Sequence, residues 1–186
     1  SPFNFPMALA AGPSSAALVA GNTVVFKPAH LGVFTGLKLY EIYMAAGVPK
    51  GVFHFLSGPG SVVGDEIVNH PDVAGITFTG SYEVGMGIYK GFAKDFPKPV
   101  ICEMGGKNPT IVTDKADLDK ATDGVLRSAF GFGGQKCSAN SRVYVHRSVY
   151  DEFVRRLKDK AENVKIGDPL DRDVYLGPVI DEGAVA

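Results

Sequence analysis

"VAGITFTGSYEVGMGIYKGFAK", residues 73–94, decides the fold class. Its first part is an apolar run of strand length that closes on Thr79-Gly80. Its second part opens on Ser81, with Glu83 in the first turn of a helix-length stretch. A Ser N-cap and an early acidic residue satisfy the unpaired N–H groups and the positive dipole end of a helix start. The segment therefore predicts strand, tight turn, helix. The same alternation recurs upstream. "TVVFKP" (23–28) reads as a buried strand stopped by Pro28, and "TGLKLYEIYMAAG" (35–47) as a helix with Leu39, Ile42, Tyr43 and Ala46 on one face and Gly47 as its stop. "GVFHFLSG" (51–58) reads as a strand that runs into "GPGSVVGDEIVNHP", a glycine loop opening a short helix ended by Pro71. Strands alternating with helices predict βαβ units and a largely parallel sheet, so the fold class is α/β.

The repeat changes beyond that point. "KPVICEMGG" (98–106) reads as a strand that ends in a Gly-Gly step instead of a helix. "PTIVT" (109–113), a helix from Asp117 to about Phe130, the strand "SRVYVHR" (141–147) and a charged helix from Ser148 to about Val164 follow. This divides the chain near residue 105 into 1–105 and 106–186, the second part too short to complete a domain.

Composition excludes several function classes. The 186 residues are 45% hydrophobic and 21% charged, with 19 basic against 20 acidic side chains, the balance of a soluble globular protein with no basic face for nucleic acid or anionic membrane. The apolar stretch from Met7 to Phe26 is interrupted by Gly12, Pro13, Ser14, Ser15, Gly21 and Asn22, too polar a series to span a bilayer. Cys102 and Cys137 form neither a disulfide framework nor a CxxC site, and four scattered histidines show no ligand spacing. No metal is expected, and a reducing, cytoplasmic compartment is the default. An opening on Ser1 and a stop at "EGAVA" suggest a piece of a longer chain.

Four places carry chemistry, each with a plain structural alternative. Gly58-Pro59-Gly60 with Gly64 is either a phosphate loop, one residue off the dinucleotide fingerprint, or a simple turn. "FTGS" (78–81) is a ligand-binding strand end or a capped turn. Glu103 is a general base with a raised pKa or a solvated strand end paired with Lys107. In "GFGGQKCSAN" (131–140), Cys137 is a nucleophile favoured by the neighbouring Lys136 cation or an inert buried thiol. Its polar, glycine-rich neighbours suit a packed core poorly, whereas Cys102 within "PVICEM" suits one well.

The segments "PFNFP" (2–6), "FKPAH" (26–30), "GPGSVVG" (58–64), "FTGSYEVG" (78–85), "EMGGK" (103–107) and "GFGGQKCSA" (131–139), in this order, resemble the NAD(P)-dependent aldehyde dehydrogenase superfamily over essentially the whole chain. The resemblance implies a Rossmann-like NAD(P)-binding part in 1–105 and the first part of an α/β catalytic domain in 106–186. It implies Cys137 as the nucleophile, Glu103 as the base that activates water, and Asn4 with the Cys137 backbone N–H as the oxyanion donors. It also implies Lys27 on the adenosine ribose, Gly60 and Val84 about the adenine, and Ser81 on the pyrophosphate. His30 stands where NAD-preferring members often carry a Glu that repels a 2′-phosphate, so the cofactor is NAD or NADP. Phe3 stands where Trp is common. The superfamily's "E-x-F-G-P" segment and its oligomerisation strands fall beyond residue 186, so the chain taken alone is expected to be inactive and the full-length protein to be a homo-oligomer.

Lys136-Cys137-Ser138 together with "CEMGGKN" is most similar to the 1-pyrroline-5-carboxylate and related semialdehyde dehydrogenases within that superfamily, with Ser138 as a substrate contact. The implied reaction takes an aldehyde to a carboxylic acid. Alternatives are a CoA-acylating dehydrogenase, in which a thiol replaces water, and a nucleotide-binding module without turnover.

Overall fold

A computed structural model describes residues 1–185, which form two compact units, Ser1–Met104 and Gly105–Ala186. In chain order the first unit holds α1 (Ala8–Val19), β1 (Val24–Phe26), α2 (Val33–Ala45), β2 (Phe53–Phe55), α3 (Asp65–Asn69), β3 (Ile76–Thr79), α4 (Tyr82–Phe92) and β4 (Val100–Glu103). The second holds β5 (Asn108–Val112), α5 (Leu118–Phe130), β6 (Asn140–Val145) and α6 (Tyr150–Glu162). Strand pairing is parallel throughout the named strands: β1 with β2, β3 with β4, β5 with β6. Each pair is joined through at least one helix, as parallel neighbours must be. The α/β class therefore stands, although the strands are shorter than the apolar runs that announce them.

In the first unit the core gathers on β1 and β2. Phe26 and Phe53 are buried and stack with ring centroids 5.8 Å apart, and the Tyr43 ring meets Phe53 edge-on at 4.7 Å. Each such ring contributes about 1.5–3 kcal/mol by leaving water. β1 is not buried on both faces as its apolar sequence suggests, because Val25 is 48% exposed. The face of α2 also differs from expectation. Leu39 and Gly36 are buried and Tyr43 packs on the core, but Ile42 is 54% exposed and Ala46 lies past the last helical residue. Gly47, at φ +86°, follows as the stop.

Helix α1 runs straight through Gly12-Pro13-Ser14-Ser15, the residues that mask it in the sequence. A proline inside a helix removes one N–H donor and crowds the preceding turn. Here hydroxyl groups serve the carbonyls of that turn: Ser14 Oγ donates to Ala10 O at 2.6 Å, and Tyr43 Oη donates to Ala11 O at 3.1 Å. Tyr43 also bonds the hydroxyls of Ser14 and Ser15, so one α2 side chain ties α1 to the core it helps to form.

The second unit is a β5-α5-β6-α6 layer. Val112, Val125 and Phe153 are its buried centre, with Leu118, Val143, Val145 and Leu157 packed around them. Asp117 caps α5 by accepting from the N–H groups of Asp119 and Lys120. Across the two helices Arg156 pairs with Asp119 at 2.9 Å and Lys160 with Asp123 at 2.6 Å. No helix among the described residues is long and apolar enough to cross a membrane.

Two predictions follow from packing and charge. A Cβ placed on Gly36 would sit 2.8 Å from Pro28 Cβ and 3.2 Å from the Phe55 ring, whereas one on Gly87, in α4, meets nothing within 4 Å. Gly36→Ala is expected to cost about 1–3 kcal/mol by overpacking a rigid ring, and Gly87→Ala to stabilise by about 0.5–1 kcal/mol through helix propensity. Urea unfolding of the two variants should move the midpoint in opposite directions. Hydrogen bonds from Arg155 and Arg156 hold the Glu152 carboxyl at about 2, below its ordinary 4.5. A depressed folded-state pKa gives stability that is complete above pH 4.5 and is lost as pH falls through about 2. Over that window the unfolding midpoint of Glu152→Gln should depend less on pH than that of the parent chain.

Candidate active site

Apart from Asn4, the candidate residues of the first unit follow strand C-termini, where parallel sheets bind ligands. Phe26 pairs with Phe55, and the Leu56 N–H continues the ladder to Phe26 O at 2.9 Å. Lys27 and the segment entering Gly58 therefore leave the sheet side by side. Lys27 is half-buried, its ammonium donating to Pro28 O at 3.2 Å, and burial lowers its pKa. His30 is exposed, in the short 3₁₀ turn His30–Gly32 that leads into α2. The glycine stretch at 58–64 leads into a short helix, as expected. Gly60–Gly64 winds as a π turn, with the Asp65 N–H bonded back to Gly60 O, and α3 adds only five residues. Gly60 itself stays exposed.

The β3–β4 pair ends at Thr79 opposite Glu103, and the Gly80 N–H donates to Glu103 O at 3.1 Å. Ser81 and Glu103 thus emerge at the same sheet edge. Ser81 is the N-cap of α4, its hydroxyl accepting from the Val84 N–H at 3.4 Å, and Val84 is 53% exposed in the first helical turn. The whole stretch from Ser81 to Val84 is exposed. An eleven-residue helix with an exposed, hydroxyl-capped N-terminus, near the C-terminal end of β3, fits an anionic dinucleotide by its dipole and its backbone donors. Asn4, half-buried, precedes α1, and its side-chain carbonyl accepts from the Phe5 N–H at 3.0 Å.

The second unit carries Cys137 and Ser138 on the loop before β6. Phe132, Gly133 and Gly134 all have left-handed backbones, at φ +59°, +64° and +72°. Such a run is strained for any residue but glycine, and it turns the chain sharply out of α5. Local bonds then hold the turn: Gln135 Nε2 donates to Phe132 O at 3.0 Å, the Lys136 N–H to Gly134 O at 2.8 Å and the Ala139 N–H to Lys136 O at 3.1 Å. Gln135 Oε1 accepts from the Ile180 N–H at 3.0 Å and ties the loop to the distal segment. Lys136 serves the fold as well as the loop. Its ammonium donates to Arg127 O at 3.2 Å, near the C-terminus of α5, where a cation is favoured. Cys137 is a half-buried free thiol and Ser138 is exposed. Its opposite number, Cys102, donates Sγ–H to Gly85 O at 3.6 Å, and burial pushes that thiol's pKa up.

Two asparagines beside Cys137, the last residues of "CEMGGKN" and of "GFGGQKCSAN", carry no role in the sequence reading. Asn108 Nδ2 donates to Cys137 O at 2.7 Å and to Ala139 O at 3.2 Å, and Asn140 Nδ2 donates to Asn108 O at 3.1 Å. Gly105, at φ +77°, lies so near that a Cβ there would stand 3.7 Å from both Cα and Cβ of Cys137.

The sequence matches the model of the aldehyde dehydrogenase family over residues 1–186. It is 48% identical to 1-pyrroline-5-carboxylate dehydrogenase 1 of Halalkalibacterium halodurans over 99% of this chain and 37% of that protein. To the 1-pyrroline-5-carboxylate dehydrogenase of Bacillus subtilis it is 45% identical with the same coverage. Among solved structures it superposes on a 1-pyrroline-5-carboxylate dehydrogenase from Thermus with bound NAD with a TM-score of 0.94 and 41% identity, covering 98% of this chain and 36% of that one. An NADP-dependent enzyme of E. coli gives 0.93 at 45% identity, covering 98% of this chain and 38% of that one. The chain thus spans little more than a third of the curated relatives it matches.

Proposed function

The chain belongs to the aldehyde dehydrogenase family, and from that membership we propose that the protein oxidises an aldehyde to a carboxylic acid with NAD or NADP. The observation that carries the reading is the match over every residue of the chain, at 48% identity to a 1-pyrroline-5-carboxylate dehydrogenase. That likeness makes glutamate semialdehyde, the open form of 1-pyrroline-5-carboxylate, the first substrate to test.

The chemistry assigned to the chain's own groups runs in three steps. Cys137 adds as thiolate to the aldehyde carbonyl, and the Asn4 amide and the Cys137 N–H stabilise the oxyanion of the resulting thiohemiacetal. A bound NAD or NADP would supply a hydride acceptor, and loss of hydride from the former carbonyl carbon would leave a thioester on Cys137. Glu103 then takes a proton from water, the hydroxide attacks the thioester carbon, and the carboxylic acid leaves with restoration of the thiolate. Water and hydride acceptor are each consumed once per aldehyde. Lys27 and Ser81 are assigned to the ribose and pyrophosphate, Gly60 and Val84 to the adenine, and Ser138 to the substrate. Ser1–Met104 on this reading is the cofactor part and Gly105–Ala186 the part that carries the nucleophile. The protein is placed in the cytoplasm, whose reducing state suits two free cysteines, and as a homo-oligomer in its full length.

In the full-length protein, Cys137→Ala should abolish aldehyde-dependent NAD(P)H formation while leaving cofactor affinity within about twofold. Glu103→Gln should keep a first-turnover burst and slow the steady state by about 10²–10⁴-fold, the usual worth of a general base. Residual steady oxidation in the first variant would overturn the role of Cys137, and an unslowed steady state in the second would favour a thiol acceptor over water. His30 supports dual cofactor use because an imidazole lacks the fixed negative charge that repels a 2′-phosphate. His30→Glu should lower kcat/KM with NADP at least about tenfold relative to NAD, equivalent to about 1.4 kcal/mol of introduced repulsion.

A further inference from the structure

The start of the second unit's sheet is badly supplied with backbone bonds. Asn108 pairs with Asn140, but the next partners are Pro109 and Arg142, so the register slips there and Ser141 has no opposite number. Pro109 has no N–H to give. A bulge and a proline together leave the chain before β6, which carries Cys137, without the ladder bonds that would otherwise fix it. Side-chain amides stand in their place. Asn140 Nδ2 spans the bulge to Arg142 O at 2.9 Å and reaches Thr110 Oγ1 at 2.9 Å as well as Asn108 O. Asn108 sends its amide the other way, to Cys137 O and Ala139 O. Both of these partners are carbonyl oxygens, so only the NH₂ end of the amide can face them.

We propose that Asn108 is the positioning residue of Cys137: its amide clamps the carbonyls on either side of Ser138 and so holds the peptide that leaves the Cys137 Cα, the atom from which the thiol side chain projects. The 2.7 Å bond fixes the Cys137 carbonyl, and hence the direction of the Cα–Cβ bond. Gly105 is a neighbour of this residue, since a Cβ built on it would be in ordinary van der Waals contact, 3.7 Å, with Cys137 Cα and Cβ. A thiol whose backbone is held in this way keeps one attack direction, and a displacement of about 1 Å at a reacting atom costs about 10²-fold in rate. Asn108 touches neither the thiol sulfur nor a reacting atom, so its effect falls on the step that uses the thiol and not on ground-state binding.

This inference rests on Cys137 being the nucleophile, and the experiment separates the two. In the full-length protein, Asn108→Asp replaces the donor by an isosteric acceptor set against two carbonyl oxygens, and Asn108→Ala removes it without repulsion. Three quantities are measured with NAD and an aldehyde: the rate of the NADH burst at saturation, the KM for each substrate from its varied concentration, and the rate of Cys137 alkylation by iodoacetamide without aldehyde, read from the mass of its tryptic peptide. The expected result is a burst slowed about 10–100-fold in both variants with each KM within threefold, and a changed alkylation rate at Cys137 with that of Cys102 unchanged. Should Asn108→Asp fail to fold, Asn108→Ala decides alone. A folded Asn108→Ala whose burst rate is within threefold of the parent overturns the positioning role while Cys137→Ala remains inactive. An active Cys137→Ala overturns both readings together.

Discussion

Parallel strands place their C-terminal ends on one edge of a sheet, and the rest of the first unit depends on that constraint. In β3 and β4 the alignment of Thr79 with Glu103, extended by the bond from the Gly80 N–H to Glu103 O, makes two chain segments leave the sheet at one level. One becomes the capped start of α4 and the other the Met104-Gly105 turn. The closeness of helix to strand depends on Gly85, where a Cβ would lie 2.5 Å from Met104 Sδ. In β1 and β2 the same geometry sets Lys27 beside the entry to Gly58. A polar surface at strand ends requires no special arrangement, because the ladder stops there and the backbone is released to turn.

The second unit works against that default. Its candidate nucleophile precedes β6, and the residues that approach it precede or open β5, so this site is built at strand N-termini. Strand starts in a parallel pair lack the helix N-terminus that follows each strand end and supplies ready donors. The fold makes up the difference with side chains. Asn108 and Asn140 bond across a separation of about thirty residues, and Lys136 returns to the α5 carbonyls. Three left-handed residues make the turn tight enough for these short side chains to span it. The strain of a left-handed Phe132 is of the size one buried hydrogen bond to a backbone carbonyl can offset, about 1 kcal/mol.

What is legible in the sequence follows from how local its cause is. Ser81 as a cap, Asp117 as the start of α5 and Gly47 as a stop each depend on residues within one helical turn, and each lies where the pattern puts it. The α/β class is legible for the same reason, since it rests on alternation and not on any single boundary. α1 is hidden because Gly12-Pro13-Ser14-Ser15 reads as a break, and one bond that steadies the helix there comes from a distance: Tyr43, some thirty residues on, donates to Ala11 O. Ile42 misleads because hydrophobicity reports what a side chain tolerates, and a short helix over a small core cannot bury every apolar residue. At the candidate site the residue types at Lys27, Glu103 and Cys137 draw attention by themselves. Asn108 does not, because an asparagine after Gly-Gly-Lys is ordinary turn chemistry until its partner carbonyls are known.

The two cysteines show that residue type and burial together do not separate a candidate nucleophile from a packing group. Both thiols are free and half-buried. Cys102 sits in the middle of a four-residue strand paired along its length, with its Sγ–H given to Gly85 O. Burial raises its pKa, so the thiolate is scarce and the side chain acts as a small packing group between β4 and α4. For that thiol to react, the strand or the helix beside it would have to move. Cys137 stands outside any ladder, on a turn whose neighbours are glycine, lysine and an exposed serine. There its backbone is held by an amide acting on the carbonyl, a bond that does not involve the sulfur. A reactive thiol needs a fixed backbone and an uncommitted sulfur at once, and if Cys137 is the nucleophile, a side-chain bond to its carbonyl meets the first need without using the sulfur.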